Sequence, residues 1–266
     1  MDILQYAFFR NAIIAVILIG IAAGIIGTYV VARRMLFITG GITHASFGGL
    51  GIGLYMGVPP SLTALIFALM SAIGVEWASR RGGVREDSAI AVFWSLGMAL
   101  GIIFIFLTPG YSPGLSGFLF GNILTVTSGD LIVFAIFTVF TAILYAVFNR
   151  TVVITAFDRD FALTRGVNVH IVEYSIILII SLCIVLSIKL IGIMLLLSFL
   201  SLPQMTAEIF SRRYNNIMLL SMLFAVLCGL CGLFISAFIN IPASACIVFV
   251  LALMYIIARG IKKVIQ

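Results

Sequence analysis

Long uncharged, apolar runs dominate the sequence and set its predicted elements. Between Arg10 and Arg33 lie 22 residues without a charged side chain, and about 20 apolar residues suffice for a helix to cross a membrane. Eight further runs follow, the first of them short and rich in glycine. They lie at about 42–56, 60–79, 88–107, 128–148, 171–188, 190–206, 215–237 and 243–258. We therefore expect nine apolar segments in a single transmembrane domain that covers residues 1–266.

These segments are expected to be helices. A span in the water-free bilayer core must satisfy its own backbone hydrogen bonds, and the alternation typical of a membrane β-barrel is missing. In the second segment Gly41, Ala45, Gly49 and Gly53 share one side, and such small residues allow helices to pack closely. The sequence thus predicts an all-α polytopic membrane protein, a bundle of eight to nine transmembrane helices, with Gly49 and Gly53 serving helix packing.

The positive charges give the predicted bundle an orientation. Because nine spans place successive loops on alternating faces, every cluster of arginine and lysine falls on the same face, and only Arg10 and Lys189 lie elsewhere. Cytoplasmic loops of membrane proteins are enriched in these residues. We expect the N-terminus outside the cell and the C-terminus in the cytoplasm. The five clusters lie at 33–34, 80–85, 150–165, 212–213 and 259–263.

The composition excludes several classes of protein. The 266 residues are 63% hydrophobic and 9% charged, with a mean hydropathy of +1.30. A soluble domain has about 45–50% apolar and about 25% charged residues. The values exclude a soluble enzyme, a disordered chain and a secreted disulfide scaffold. Since the basic loops explain the net charge of +6, we expect membrane lipid and no nucleic acid as a partner.

Few side chains within the apolar runs offer chemistry. The motifs GxxxxGK[ST] and HExxH are missing from the sequence, so we expect neither an enzyme nor ATP hydrolysis by this chain. Ion-coupled carriers typically hold carboxylates at mid-membrane depth, whereas Glu76, Glu173 and Glu208 fall near predicted cytoplasmic ends, where water or arginine reaches them. His44 lies in the glycine-rich segment, either as a packing residue or as a transient metal ligand.

Two polar stretches are long enough to carry a function outside the membrane. Residues 108–130 are predicted to form a loop, rich in glycine and proline in its first half, at the outer face. Residues 149–170 are predicted on the cytoplasmic side. Within them an acidic start, two apolar residues and a closing glycine predict a short capped helix at about 156–168. This segment is either a solvated loop or an element that docks in the groove of a partner.

Six segments of the chain match a set of known motifs in the right order. They are GGITHASFGG at 40–49, REDSAI at 85–90, LFGNIL at 119–124, FDRDFALTRG at 157–166, IGIMLL at 191–196 with Leu202-Pro203 after it, and SAFINIP at 236–242. In these segments the chain resembles the permease subunits of ABC-type zinc, manganese and iron importers. The resemblance covers nearly the whole sequence and implies that His44 and Asn240 contact the metal along the pathway.

The same resemblance implies the partners of the chain. It predicts a homodimeric channel in the bacterial inner membrane that works with a separate ATPase dimer, which binds ATP, and with an extracytoplasmic metal-binding protein. The metal is cargo, and no permanently bound cofactor is implied. The short cytoplasmic helix then couples the permease to the ATPase, through Phe157, Asp158, Ala162 and Gly166.

Two positions depart from the pattern of this family. Gly40 stands where the family usually has an aspartate four residues before the histidine, and Asn240 replaces an aspartate two residues before the late proline. Mn²⁺ prefers carboxylate and water oxygens, whereas Zn²⁺ and Fe²⁺ accept imidazole readily. We therefore expect zinc or iron as the favoured cargo, with manganese as the remaining divalent metal. The open alternatives are a metal chelate, another small nutrient, or a secondary metal transporter.

Overall fold

The described part of the structure, a computed structural model, covers residues 5–109, 121 and 123–265, except the side chains of residues 80 and 265. These residues form nine α-helices and one short 3-10 helix, Ile123–Thr125, and contain no strand. Most of the predicted outer loop and of the LFGNIL motif lies outside the described residues. The α-helices are α1 (Ala7–Ala32), α2 (Leu36–Met56), α3 (Pro60–Arg80), α4 (Glu86–Leu107), α5 (Ser128–Phe157), α6 (Arg159–Thr164), α7 (Val169–Phe210), α8 (Tyr214–Ile239) and α9 (Ala243–Ile265).

Seven helices are long and apolar enough to cross a membrane. They are α1, α3, α4, α5, α7, α8 and α9. Helix α2 has 21 residues, most of them buried, and it packs mainly against α3 and α4. This arrangement confirms the predicted all-α membrane bundle.

Helix α7 consists of two spans joined at a break. It has 42 residues, and within it Gly192 has a non-helical φ of 76° and ψ of 172°. The first half begins beside the end of α1, where Glu173 pairs with Arg33. It finishes beside the start of α5, where Lys189 pairs with Asp130. The end of α1 lies near the end of α5, because Glu173 contacts both Arg33 and Arg159. Lys189 instead pairs at the start of α5. The Glu173–Arg33 pair and the Lys189–Asp130 pair therefore lie at opposite ends of the bundle.

The second half of α7 returns alongside α1. Gln204 donates from Nε2 to the backbone oxygen of Ala23 at 2.7 Å. At 1.5 Å per residue, the two halves are about 34 Å and about 27 Å long, close to the thickness of a hydrocarbon core of about 30 Å. With the two halves counted separately and α2 included, the described helices make nine passes through the bundle. The predicted break at Lys189 was wrong: the helix continues through Lys189, and the chain reverses at Gly192.

The ends of the bundle differ in charge. Arg33 and Arg159 meet around one carboxylate, and at the same end Lys262 of α9 donates from Nζ to the backbone oxygen of Ile209 at 3.2 Å. We call the end that carries Arg33, Arg159 and Lys262 the basic end. Lys189 lies at the other end, which we call the opposite end. Three of the five clusters that the sequence placed on one face therefore have a member at the basic end.

Glycines allow α2 to lie directly against the backbone of α3. A Cβ atom added to Gly49 would be 2.7 Å from Cα of Ala64 and still closer to the backbone oxygen of Thr63. A Cβ atom on Gly53 would be 2.8 Å from Cα of Pro60. These contacts are with backbone, which cannot move aside as a flexible side chain does. Glycine at both positions therefore fixes the position of α2 in the bundle.

We expect Gly49→Ala to destabilise the protein relative to Gly40→Ala by about 1–3 kcal/mol, the usual cost of overpacking. Both positions lie in α2, so the gain in helix propensity is the same and cancels in the comparison. A Cβ atom on Gly40 has only Cδ2 of Leu197 near it, at 3.9 Å. Thermal or denaturant unfolding in detergent measures the difference. Equal stability of the two variants would show that α2 and α3 pack less closely than described.

Candidate metal pathway and coupling site

His44 lies in the buried helix α2, and its imidazole ring stacks on Trp94 of α4. The ring centroids are 4.2 Å apart, and the ring planes are within 7° of parallel. Nδ1 of His44 is buried and has no hydrogen-bond partner in the described part of the protein. A nitrogen of neutral imidazole binds a metal in the plane of the ring. Trp94 covers a face of the ring and does not itself occupy the in-plane positions at which a nitrogen binds a metal.

The other polar side chains near His44 on α2 are engaged with the helix itself. Thr43 donates to the backbone oxygen of Thr39 at 2.6 Å, and Ser46 donates to that of Thr43 at 2.7 Å. Such back-bonding satisfies hydroxyl groups within a helix. One turn before His44, Gly40 is buried and leaves room for at least a Cβ atom. The imidazole of His44 is therefore the group on this stretch of α2 best placed to bind a ligand.

Asn240, the second predicted metal contact, lies at the end of α8. It is exposed, and its φ of 58° and ψ of 42° are left-handed, a conformation that asparagine and glycine adopt more readily than other residues at the end of a helix. Asn240 therefore has a backbone role in the turn to α9. It lies at the opposite end of the bundle, whereas His44 is about 12 Å along α2 from Leu36 at the basic end. The structure does not bring Asn240 and His44 together.

No group of three or more histidine, cysteine, aspartate or glutamate side chains that could hold a metal occurs within the described ranges. The described residues around His44 thus offer a single nitrogen ligand and no closed cage. A pathway needs such weak, open sites, because an ion that binds too tightly does not leave.

The predicted coupling residues surround the short helix α6 at the basic end. Asp158 caps the helix, because its carboxylate accepts a hydrogen bond from the backbone nitrogen of Phe161 at 2.9 Å. Ala162 is fully buried, and Gly166 leaves the helix with a φ of 75°. Phe157 is 66% exposed. The helix is thus fixed to the bundle on one side and presents apolar side chains on the other, as expected of a surface that a partner covers.

Glu173 connects α6 to the membrane helices. It is buried at the start of α7, and its two oxygens lie 3.4 Å from Nη2 of Arg33 and 3.4 Å from Nη2 of Arg159. Beside it lies a cavity of about 170 Å³, whose polar wall includes Thr39, Glu76 and Glu86. The sequence indicated that arginine reaches this glutamate but not which arginines.

Trp94 is the neighbour of the candidate ligand His44 that the sequence did not indicate. It lies 50 positions after His44, in a run whose hydrophobic pattern predicts only an apolar span. The one available signal is that tryptophan occurs twice in the chain, which does not identify its partner.

Comparison with known proteins identifies the family. The sequence model of the ABC 3 transport family matches residues 5–262. The membrane protein slr2045 of Synechocystis sp. is 36% identical over 261 residues, which cover 98% of this chain and 92% of that protein. The manganese import system permease protein ScaB of Streptococcus parasanguinis is 30% identical over 254 residues, covering 96% and 90%. The solved structure of PsaBC from Streptococcus pneumoniae in complex with Fab matches with a TM-score of 0.87 and 29% identity, covering 96% and 92%.

These matches confirm the resemblance seen in the six motifs. The family match extends from the first turn of α1 to the last turns of α9, so it includes His44, α6 and the reversal in α7. In such transporters ATP hydrolysis belongs to a separate subunit, which agrees with the missing phosphate loop. The chain therefore belongs to the ABC 3 transport family and is a membrane-spanning permease subunit of an ABC-type metal transporter, not an enzyme.

Proposed function

We propose that this permease forms, as a homodimer, the pathway of an ATP-driven importer of divalent transition metal ions. The observation that carries the proposal is the buried nitrogen of His44, which has no hydrogen-bond partner among the described residues. It lies in a glycine-rich helix, about 12 Å along α2 from the basic end. A buried polar atom left unpaired costs about 1–3 kcal/mol, and a bound ligand would relieve that cost. A transient metal ion would satisfy this nitrogen.

The basic end supports an orientation for the transporter. The positive-inside rule places this end in the cytoplasm of a bacterial inner membrane, with the N-terminus outside and the C-terminus inside. Helix α6 then faces the ATPase dimer, and Phe157, Asp158, Ala162 and Gly166 form or shape the docking element. The opposite end faces the metal-binding protein that delivers the ion.

The side chains near the pathway favour zinc or iron as cargo. His44 offers a nitrogen ligand, and Gly40, one turn before it, supplies no carboxylate although at least a Cβ atom fits there. Affinity for a nitrogen ligand rises from Mn²⁺ to Fe²⁺ and is higher for Zn²⁺ than for Mn²⁺. Manganese is the second candidate, because ScaB of Streptococcus parasanguinis, to which this chain is similar, is a manganese import system permease protein.

Uptake of metal by the reconstituted complex tests this proposal. The permease, its ATPase and its binding protein are placed in proteoliposomes, and uptake of radioactive zinc, ferrous iron and manganese is measured with and without ATP. We expect ATP-dependent, saturable uptake with zinc or iron preferred to manganese by about tenfold, a difference of 1.4 kcal/mol. Better uptake of manganese would overturn the preference. Uptake of none of the three would support a chelate or another nutrient as cargo.

A further inference from the structure

Glu173 joins three separate parts of the basic end through one carboxylate. Oε1 lies 3.4 Å from Arg33, the residue that ends α1, and Oε2 lies 3.4 Å from Arg159, the first residue of α6. Glu173 itself belongs to the first turns of α7 and is 7% exposed. A buried carboxylate held between two guanidinium groups makes each of these parts sensitive to the position of the others.

The connection reaches the pathway through the corner between α1 and α2. Arg33, Arg34 and Met35 form this corner. Arg34 has a left-handed φ of 56°, which is uncommon for residues other than glycine. Helix α2 starts at Leu36 and carries His44 about 12 Å further along. Movement of Arg33 therefore displaces the start of the helix that holds the candidate ligand.

The geometry also allows the carboxylate to shift between its partners. A charge-assisted hydrogen bond between nitrogen and oxygen is about 2.7–2.9 Å long, so each of the two arginine contacts, at 3.4 Å, has room to shorten. The cavity of about 170 Å³ next to it provides space. The side chains of Glu76 and Glu86 also line this cavity.

We propose that Glu173 is a positioning residue that transmits movement of α6 to the α1–α2 corner and so couples the ATPase to the metal pathway. The proposal rests on the proposed function, in which α6 contacts the ATPase. When α6 moves, Arg159 changes its distance from Glu173, and the carboxylate closes on Arg33 or releases it. The helix with His44 responds because its first turn follows directly from this corner.

Reconstituted complexes with Glu173→Gln test the proposal by separating ATP hydrolysis from transport. Glutamine keeps the size of the side chain and removes its charge. We expect the amount of metal imported per ATP hydrolysed to fall about tenfold, within the usual range of coupling between sites, while ATP hydrolysis continues. The matched control is Glu86→Gln, an exposed carboxylate on the wall of the same cavity, which should keep the wild-type ratio.

A second variant distinguishes transmission from simple loss of a buried ion pair. Arg159→Gln should lower the same ratio, and the double variant Arg159→Gln/Glu173→Gln should lower it no further, because both changes interrupt one connection. If Glu173→Gln does not assemble with the ATPase, Arg159→Gln alone provides the test. A wild-type ratio in these variants, or a proportional fall of hydrolysis and uptake, overturns the proposal. A wild-type complex that imports no metal contradicts the proposed function instead.

Discussion

Replacing His44 with alanine is expected to reduce ATP-dependent metal uptake by about a hundredfold or more. Loss of a mere supporting partner of a metal ligand costs about 10–100-fold in affinity or activity, and His44 is proposed as a ligand itself. Alanine at position 44 offers no ligand atom. The neighbouring hydroxyl groups of Thr43 and Ser46 do not replace the imidazole, because they are hydrogen-bonded to the backbone of their own helix. Uptake into proteoliposomes at several metal concentrations measures the effect.

The matched control uses the second histidine of the chain. His170 is exposed at the start of α7, so His170→Ala removes an imidazole of the same chemistry far from the pathway. It should leave uptake within about twofold of wild type, the effect of a surface substitution being about 0.5 kcal/mol or less. Equal losses in the two variants would contradict the assignment of His44 to the pathway.

Trp94 provides a direct measurement of metal at His44 that does not depend on transport. Tryptophan occurs only twice in the chain, so Trp77→Phe leaves Trp94 as the single strong fluorophore. Its ring lies 4.2 Å from that of His44, and a metal bound to the imidazole should change its emission. The change should saturate with added metal and vanish in the His44→Ala variant. Saturable quenching that persists without His44 would place the metal elsewhere.

The sequence predicted the spans because hydropathy reflects what the bilayer requires. Uncharged runs of sufficient length must become helices in a medium without water, and that requirement does not depend on tertiary contacts. The break in α7 depends on backbone conformation instead. Lys189 marked a break in the hydropathy pattern, yet its charge is met by Asp130 and the helix continues. Gly192 reverses the chain, and no pattern of polarity distinguishes this glycine from the many that serve packing.

The candidate site was predictable only in its separate residues. His44 stood out because a histidine is unusual in a glycine-rich span, and the short capped helix was visible in its acidic start and closing glycine. The stack of His44 on Trp94 and the pairs of Glu173 depend on the register between helices far apart in the sequence. Asn240 was interpreted through its side chain, whereas its position in the fold is explained by a left-handed backbone.

The reversal itself leads to the second large expected effect: Gly192→Ala should destabilise the protein by about 1–3 kcal/mol and impair insertion of the second half of α7. A φ of 76° with a ψ of 172° is a combination that essentially only glycine adopts, and forcing another residue into it costs that much. For a chain of this size each kcal/mol corresponds to about 2–4 °C in melting temperature. Thermal unfolding in detergent measures the shift.

Gly57→Ala provides the matched control, because it distinguishes the effect of the break in α7 from the effect of replacing any glycine with a positive φ. Gly57 has a φ of 68° in the ordinary left-handed region, and nothing lies within 4 Å of an added Cβ atom. Alanine there costs only about 1–2 kcal/mol, and the turn between α2 and α3 lies at the surface. At Gly192 the strain falls between two spans, and the backbone of Gly121 lies directly against Ile191 and Gly192. We therefore expect Gly192→Ala, but not Gly57→Ala, to lose metal uptake along with stability. Equal losses of uptake and stability in the two variants would show that the two halves of α7 do not depend on this reversal.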